Sequence, residues 1–325
     1  MTVESRALTF VNSSLSVSLS ANFPLLILRE GENTTRRFLE FFTANIRNLN
    51  TREAYGRAVC QFFDWCEERE ITLHKITPMV VAAYIEQHSS SLPTVKQHLA
   101  AIKMLFDWLV LGHIIHSNPA SSVRGPKYVV KKGKTPVLSA DQARYLLNSI
   151  QEDSIIGLRD RALMSVMVYS FARVSAVIAM KVEDYFQNGK RFWFRLQEKG
   201  GKLHDVPVHH KAEIYMDAYL EAAGIEHFKK YPLFRTVDKH GNLTDRTISR
   251  REVLAMIKRR ARQAELPESI SCHTFRATGI TAYLENGGTL ENAQAIANHE
   301  SPKTTKLYDH TRDQIILDEV ERIAI

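Results

Sequence analysis

Only three of the 325 residues are cysteine, Cys60, Cys66 and Cys272, too few and too scattered for a disulfide framework. Their scarcity suits a reducing compartment, and the expected location is the cytoplasm. There is no Cys-x-x-Cys pair and no Cys/His spacing of a zinc finger. No apolar run approaches the roughly 20 residues of a membrane span. The stretch Phe23 to Leu28 is too short for one, and it lacks a basic leader and a small-residue cleavage site. Internal repeats and low-complexity tracts are also missing. What is present is ordinary globular composition, 44% hydrophobic and 24% charged. The 43 Lys plus Arg against 36 Asp plus Glu give a net charge of +7, a mild bias toward a polyanionic partner. The length permits two domains with separate cores.

Apolar residues fall at helical spacing from Thr34 to about Gly112. Phe38, Phe41, Phe42 and Ile46 mark one helix, and Tyr55, Ala58, Val59, Phe62, Phe63 and Cys66 the next. Thr77-Pro78 starts a third, followed by Val80, Val81, Tyr84 and Ile85. Val95, Leu99, Ile102, Phe106 and Leu109 carry a fourth. The pattern predicts a small helical bundle over 34–122, preceded by a Ser-rich arm at 1–33 that is loose or only shortly packed. Residues 117–138 break the periodicity, with turn signals at Asn118-Pro119 and Gly125-Pro126, and 123–138 read as a basic linker. Arg124, Lys127, Lys131, Lys132 and Lys134 follow one another there with no acidic residue among them. Such a run is either a solvated linker or a segment lying along a phosphate backbone.

Ser139-Ala-Asp-Gln142 has the form of a capping box and opens a second domain, 139–325. Helical patterns cover 140–150, 156–171 and about 174–181. Asn188-Gly189 is a hairpin-type turn, Phe192, Phe194 and Leu196 alternate as a strand, and Leu203, Val206 and Val208 form a partner across Lys199-Gly200-Gly201-Lys202. The remainder reads mostly helical. The expected fold is mainly α with a small β-hairpin or sheet, an α+β second domain.

Several side chains suggest chemistry, each with a plain alternative. His273 and Arg276 are three apart on a predicted helix and share a face, so they either hold a phosphate or form part of a surface salt bridge. Arg173, between two apolar segments, is either a structural ion pair or aimed into a cleft. Lys199 and Lys202 belong to a flexible exposed turn or to a mobile loop that delivers an ammonium group. Tyr308 is packing or a nucleophile, and a phenol serves as the latter only where cations and a base favour the phenolate. Taken together, arginines, histidines, a lysine and a tyrosine are the parts required for phosphoryl transfer without a metal.

In this order and spacing, Arg173, Lys199, His273, Arg276, His299 and Tyr308 resemble the tyrosine recombinase (phage integrase) family, of the Cre/Xer-like kind. His-Thr-Phe-Arg at 273–276 is similar to the family's second box. Asn-His-Glu-Ser-Pro-Lys-Thr-Thr-Lys-Leu-Tyr at 298–308 is similar to its third box and nucleophile, His299 preceding Tyr308 by nine positions. Glu-Lys-Gly-Gly-Lys-Leu-His-Asp-Val-Pro at 198–207 resembles the family's Gly-Lys-Gly-x-Lys-x-x-x-Val-Pro, which favours Lys199 over Lys202. The likeness covers about 34–320. Two departures stand out. Ala176 occupies the place of an acidic residue three after the first arginine, and Asn298 replaces the glycine before the third-box histidine, which puts the backbone's approach to a phosphate in question.

The resemblance implies a two-domain, C-shaped clamp on double-stranded DNA, with a SAM-like core-binding domain at 34–122, a basic linker and a catalytic domain. Tyr308 is then the nucleophile, forming a 3′-phosphotyrosine. Arg173 and Arg276 stabilise the transition state, His273 and His299 hold phosphate oxygens, His273 takes the tyrosine proton and Lys199 is the general acid. The linker residues and Lys202 contact DNA. The resemblance further implies passage through a Holliday junction, no cofactor, metal or ATP, no membrane, and a prokaryotic, nucleoid-associated location. Ile315, Ile316, Val320 and Ile323 mark a terminal helix, folded on its own core or, on family precedent, docked into a neighbour in a tetramer. Length favours a simple recombinase without an arm-binding domain. Competing readings are a type IB topoisomerase, a catalytically silent DNA-binding module, and a metal site of Cys272, His273, His299 and His310.

Overall fold

The computed structural model describes residues 23–129, 133, 135–198 and 201–309. They form two compact units that divide between Val129 and Val130. Among the described residues no helix is long and apolar enough to cross a membrane.

The first unit is helical: α1 (Leu25–Arg29), α2 (Glu32–Glu40), α3 (Leu49–Glu67), α4 (Pro78–Gln87) and α5 (Leu92–Leu111). The bundle forms because each helix turns a phenylalanine-rich or aliphatic stripe inward. Phe38, Phe41, Phe42, Phe62, Phe63 and Phe106 are all fully buried in one core. The helix starts match the sequence signals. Thr77 caps α4 by accepting the Val80 N–H at 3.4 Å, with Pro78 in the first turn. One detail differs from expectation. The helix expected to contain Phe41, Phe42 and Ile46 widens to a π-helical turn at Phe41–Asn45, which sends both phenylalanine rings into the core. Of the two alternatives for the arm at 1–33, its described part takes the packed one. Leu26 and Ile27 are buried, the Leu26 N–H donates to Glu67 Oε1 at 2.5 Å, and the Phe23 ring packs edge-on against Phe38. Phe23 to Leu28 is thus a core segment, too short to have shown a period.

The second unit is built around α7 (Ile155–Tyr169), whose residues Gly157 to Val168 are all buried. The helices α6 (Ala140–Asn148), α8 (Val174–Ala179), α9 (His210–Ala223), α10 (Arg250–Gln263), α11 (Cys272–Glu285), α12 (Leu290–Ala297) and α13 (Pro302–Lys306) complete its helical part. The capping box at Ser139 and Gln142 forms in both directions, with hydrogen bonds of 3.1 and 3.0 Å. Asp160 on α7 is fully buried beneath Arg159, Arg259 and Arg260, a set of ion pairs that ties α7 to α10.

Strands β1 (Tyr185–Asn188), β2 (Arg191–Gln197) and β3 (Leu203–Pro207) form an antiparallel sheet in that order. Phe194 pairs with Val206 and Leu196 with His204, and Phe194, Leu196 and Val206 face the core as their alternation predicts. The strand β1 and a second hairpin, β4 (Arg235–Val237) with β5 (Leu243–Thr247), were not expected from the pattern. Both are short, and their buried positions are held by packing on helices rather than by a marked period. Helices therefore dominate both units, with a small sheet in the second.

Candidate active site

Three segments meet where α7 ends. After Ser170 the chain turns sharply through Phe171, a left-handed residue with φ of 54°, before Arg173 starts α8 in an extended conformation. That turn leaves the Phe171 carbonyl facing α11. The guanidinium of Arg276, on α11, donates to it and, at 2.6 Å, to the carbonyl of Ala297 at the end of α12. Arg276 is only 1% exposed, and its Nε–H has no acceptor among the described residues. One buried arginine thus joins the turn after α7 to the end of α12. Close approach of α11 depends on Gly279, where a Cβ would collide with the Val168 carbonyl oxygen and lie 2.7 Å from the Phe171 ring.

Helix α12 ends at Asn298, which takes the left-handed conformation with φ of 47° and ψ of 51°. Asparagine tolerates this region better than most residues, so the replacement of glycine keeps the turn. The His299 N–H closes that turn onto the Gln294 carbonyl at 3.1 Å. His299 is buried. Its Nδ1 is hydrogen bonded to Thr305 Oγ1 at 2.8 Å, and its ring lies nearly parallel to that of Tyr308, 6° apart in plane.

Tyr308 follows α13 and is buried with Phe171, Ala277, Ile280, Leu284, Ala293 and Ala297. Thr281 Oγ1 donates to its backbone carbonyl at 3.1 Å. Its hydroxyl lies 2.7 Å from Nε2 of His273, one turn before Arg276 on α11, as the three-residue spacing requires. The His273 residue keeps an outer edge in solvent while its ring packs edge-on against Tyr308, among the buried groups of the site. Arg173 pairs with Glu198, just beyond β2; the carboxylate is 3% exposed and the guanidinium 34%.

The electrostatics follow from burial beside two guanidiniums. Burial, with Arg276 and Arg173 close by, holds the His273 pKa below its usual 6.5. Burial and the same two arginines, with His273, push His299 down to about 3. Burial lifts the Tyr308 phenol above its ordinary value, while Arg276 and Arg173 pull the other way. Arg276 is pushed down to about 10 by burial and by Arg173, against the opposing pull of Glu198 and Tyr308. At neutral pH both imidazoles are neutral. In the tautomer with its ring proton on Nδ1, a neutral His273 accepts the Tyr308 O–H at Nε2.

The structure thus brings together Arg173, His273, Arg276, His299 and Tyr308. Lys199 lies outside the described residues, as do Lys131, Lys132, Lys134, His310 and the terminal segment with Ile315, Ile316, Val320 and Ile323. Arg124, Lys127 and Lys202 are exposed. No group of three or more His, Cys, Asp or Glu among the described residues is placed to hold a metal ion. The residues that sequence reasoning missed are Glu198, Thr281, Thr305 and His204, whose Nε2 lies 3.0 Å from the Ile296 carbonyl and ties β3 to α12. Only Glu198 carried a signal, standing where the resembled pattern has glycine.

The chain matches the phage integrase family over residues 136–314 and the phage integrase N-terminal SAM-like domain over residues 36–112. A tyrosine recombinase XerC of Pelobacter propionicus is 30% identical over 272 residues, 81% of this chain and 86% of its own length. A tyrosine recombinase XerC of Chlamydia caviae is 28% identical over 256 residues, 78% of this chain and 79% of its own. Among solved structures, a XerH site-specific recombinase in a post-cleavage complex with palindromic difH substrate superposes with a TM-score of 0.67 at 18% identity, over 98% of this chain and 93% of that one. A lambda integrase dimer bound to a COC′ core site gives 0.64 at 17% identity, over 87% and 98%. These structures share the fold.

Proposed function

The chain belongs to the phage integrase family and is a site-specific recombinase, and from that premise we propose that it cuts and rejoins double-stranded DNA through a covalent bond to Tyr308. The observation that carries this reading is the Tyr308 hydroxyl, 2.7 Å from a neutral His273 and under the electrostatic influence of Arg276 and Arg173.

In the proposed step the Tyr308 oxygen attacks the scissile phosphorus and its proton passes to His273 Nε2. The bond to the 5′-oxygen breaks in line, and that oxygen takes a proton from Lys199. A 3′-phosphotyrosine and a free 5′-hydroxyl result. Arg173 and Arg276 neutralise the non-bridging oxygens, and His273 and His299 donate to them. The charge neutralisation that metals supply in other phosphoryl transferases falls here to two guanidiniums. The phosphodiester's energy is retained in the tyrosyl linkage, so rejoining needs no ATP. Strand exchange in two rounds passes through a Holliday junction.

Both units contact the duplex in this reading. Arg124, Lys127, Lys131, Lys132, Lys134 and Lys202 contribute phosphate contacts that weaken with salt. Four copies assemble on two sites, the terminal segment of each docking on its neighbour.

Sequencing DNA covalently bound to the protein in cells of the source organism recovers the site and the strand polarity. A duplex of that site, nicked beside the scissile phosphate, should trap the unmodified chain covalently. Tyr308→Phe should bind it with unchanged affinity and form no adduct. A covalent complex with the Phe variant would remove Tyr308 from its role, and binding without any adduct by the unmodified chain would favour a silent DNA-binding module.

A further inference from the structure

Two guanidiniums held in one small site repel each other before any phosphate arrives, and each loses hydration on burial. Arg276 is fixed by neutral backbone carbonyls, which orient it without cancelling its charge. Arg173, one-third exposed, is less enclosed than Arg276, and its own helix offers no carboxylate. Ala176, at the third position of α8, is a buried methyl group.

The carboxylate comes instead from across the sheet. Glu198 follows the last residue of β2, and its side chain, 3% exposed, has Arg173 as its ion-pair partner. A carboxylate this deeply buried is expensive unless paired, so the contact constrains both side chains. The same residue closes the β2–β3 turn through its backbone. Its N–H donates to the Lys202 carbonyl at 2.8 Å, and its own carbonyl accepts from the Gly201 N–H at 3.1 Å. His204 anchors the other limb of the hairpin to α12. Glu198 also counters the repulsion that Arg173 exerts on Arg276.

We propose that Glu198 is a positioning residue of the strand-cutting reaction: its buried carboxylate holds Arg173 in place for the scissile phosphate, the task for which α8 has only Ala176, and couples that arginine to the close of the β2–β3 hairpin at Gly201 and Lys202. This rests on the recombinase reading above and adds to it a residue outside the expected catalytic set. Glu198 touches no reacting atom and acts through Arg173.

The test uses the full-length chain and the nicked duplex of the recovered site. Glu198→Gln should bind that duplex as the unmodified chain does, by gel shift, yet form the covalent adduct slower by on the order of 10²-fold, the scale of a misplaced catalytic group. Adding Ala176→Glu to Glu198→Gln places a carboxylate at the third position of α8, and it should recover at least about tenfold of that loss if position alone matters. In an Arg173→Lys background, Glu198→Gln should add less than about threefold, because the two residues act as one unit. Should Glu198→Gln fold poorly by circular dichroism, Glu198→Asp keeps the charge on a shorter stem and should fall between the unmodified chain and Glu198→Gln. Adduct formation by Glu198→Gln at the unmodified rate overturns the proposal alone. Equal losses in the Arg173 and Arg173→Lys backgrounds also overturn it, since Glu198 would then act independently of the arginine. If the unmodified chain forms no adduct, the recombinase mechanism falls and the proposal falls with it.

Discussion

At neutral pH the Tyr308 hydroxyl keeps its proton and gives it, as a hydrogen bond, to an imidazole that is also uncharged. The pair is poised because each group's environment opposes its ionisation: burial raises the phenol, and burial with two arginines lowers the imidazole. His273 accepts the tyrosine proton only while neutral, and its folded pKa lies below 6.5, so the proton acceptor is lost only on acidification past that lower value. The apparent second-order rate of adduct formation on the nicked duplex should hold through neutral pH and fall on acidification, with a limb centred below the ordinary imidazole value of about 6.5. An acid limb centred at or above pH 6.5 would contradict this assignment. His273→Gln should abolish the limb and slow the adduct by roughly 10²- to 10⁴-fold, the usual contribution of a general base.

At the scale of elements, the site is the place where the end of α7, the face of α11 and the end of α12 come close enough for one guanidinium to bond two carbonyls. That proximity rests on Gly279. A methyl group there meets the backbone of α7 and the Phe171 ring, neither of which is the free end of a flexible chain. Gly279→Ala should therefore destabilise the second unit by about 1–3 kcal/mol, the range for overpacked cores. Chemical unfolding followed by circular dichroism measures this loss. The same variant should slow adduct formation, because α11 carries both His273 and Arg276. Retention of full stability would show that α11 has room to shift. The left-handed Phe171 and Asn298 belong to the same construction. Each turns the chain at a helix end and presents a carbonyl, its own or its neighbour's, to Arg276.

At the scale of the whole molecule, two units with separate cores divide within the segment expected to link them, at Val129 and Val130. The proposed assembly depends on the residues after Asp309, where Ile315, Ile316, Val320 and Ile323 recur at helical spacing. Removing residues 314–325 should leave binding to one site nearly unchanged and impair pairing of two sites. Native gels with one-site and two-site duplexes separate these effects. A truncated chain that pairs sites as well as the full chain would assign the terminal stripe to its own subunit's core.

Periodicity, with capping and turn signals, determined the helices α2 to α8, the hairpin β2–β3 and their inward faces, because a buried stripe leaves its spacing in the chain. The order of Arg173, His273, Arg276, His299 and Tyr308 along the chain carried the family resemblance. Phe23 to Leu28, β1 and the β4–β5 hairpin were not legible, since segments so short show no period and owe their conformation to what they pack against. Nor was the pairing of Glu198 with Arg173 legible, although Glu198 departs from the resembled pattern. Glu198 is remote from that arginine along the chain, and only folding of β2 against α8 makes them partners. The same holds for the capture of Arg276 by two carbonyls and for the neutral imidazoles. Burial and the field of neighbouring charges set those properties, and both exist only after distant segments meet.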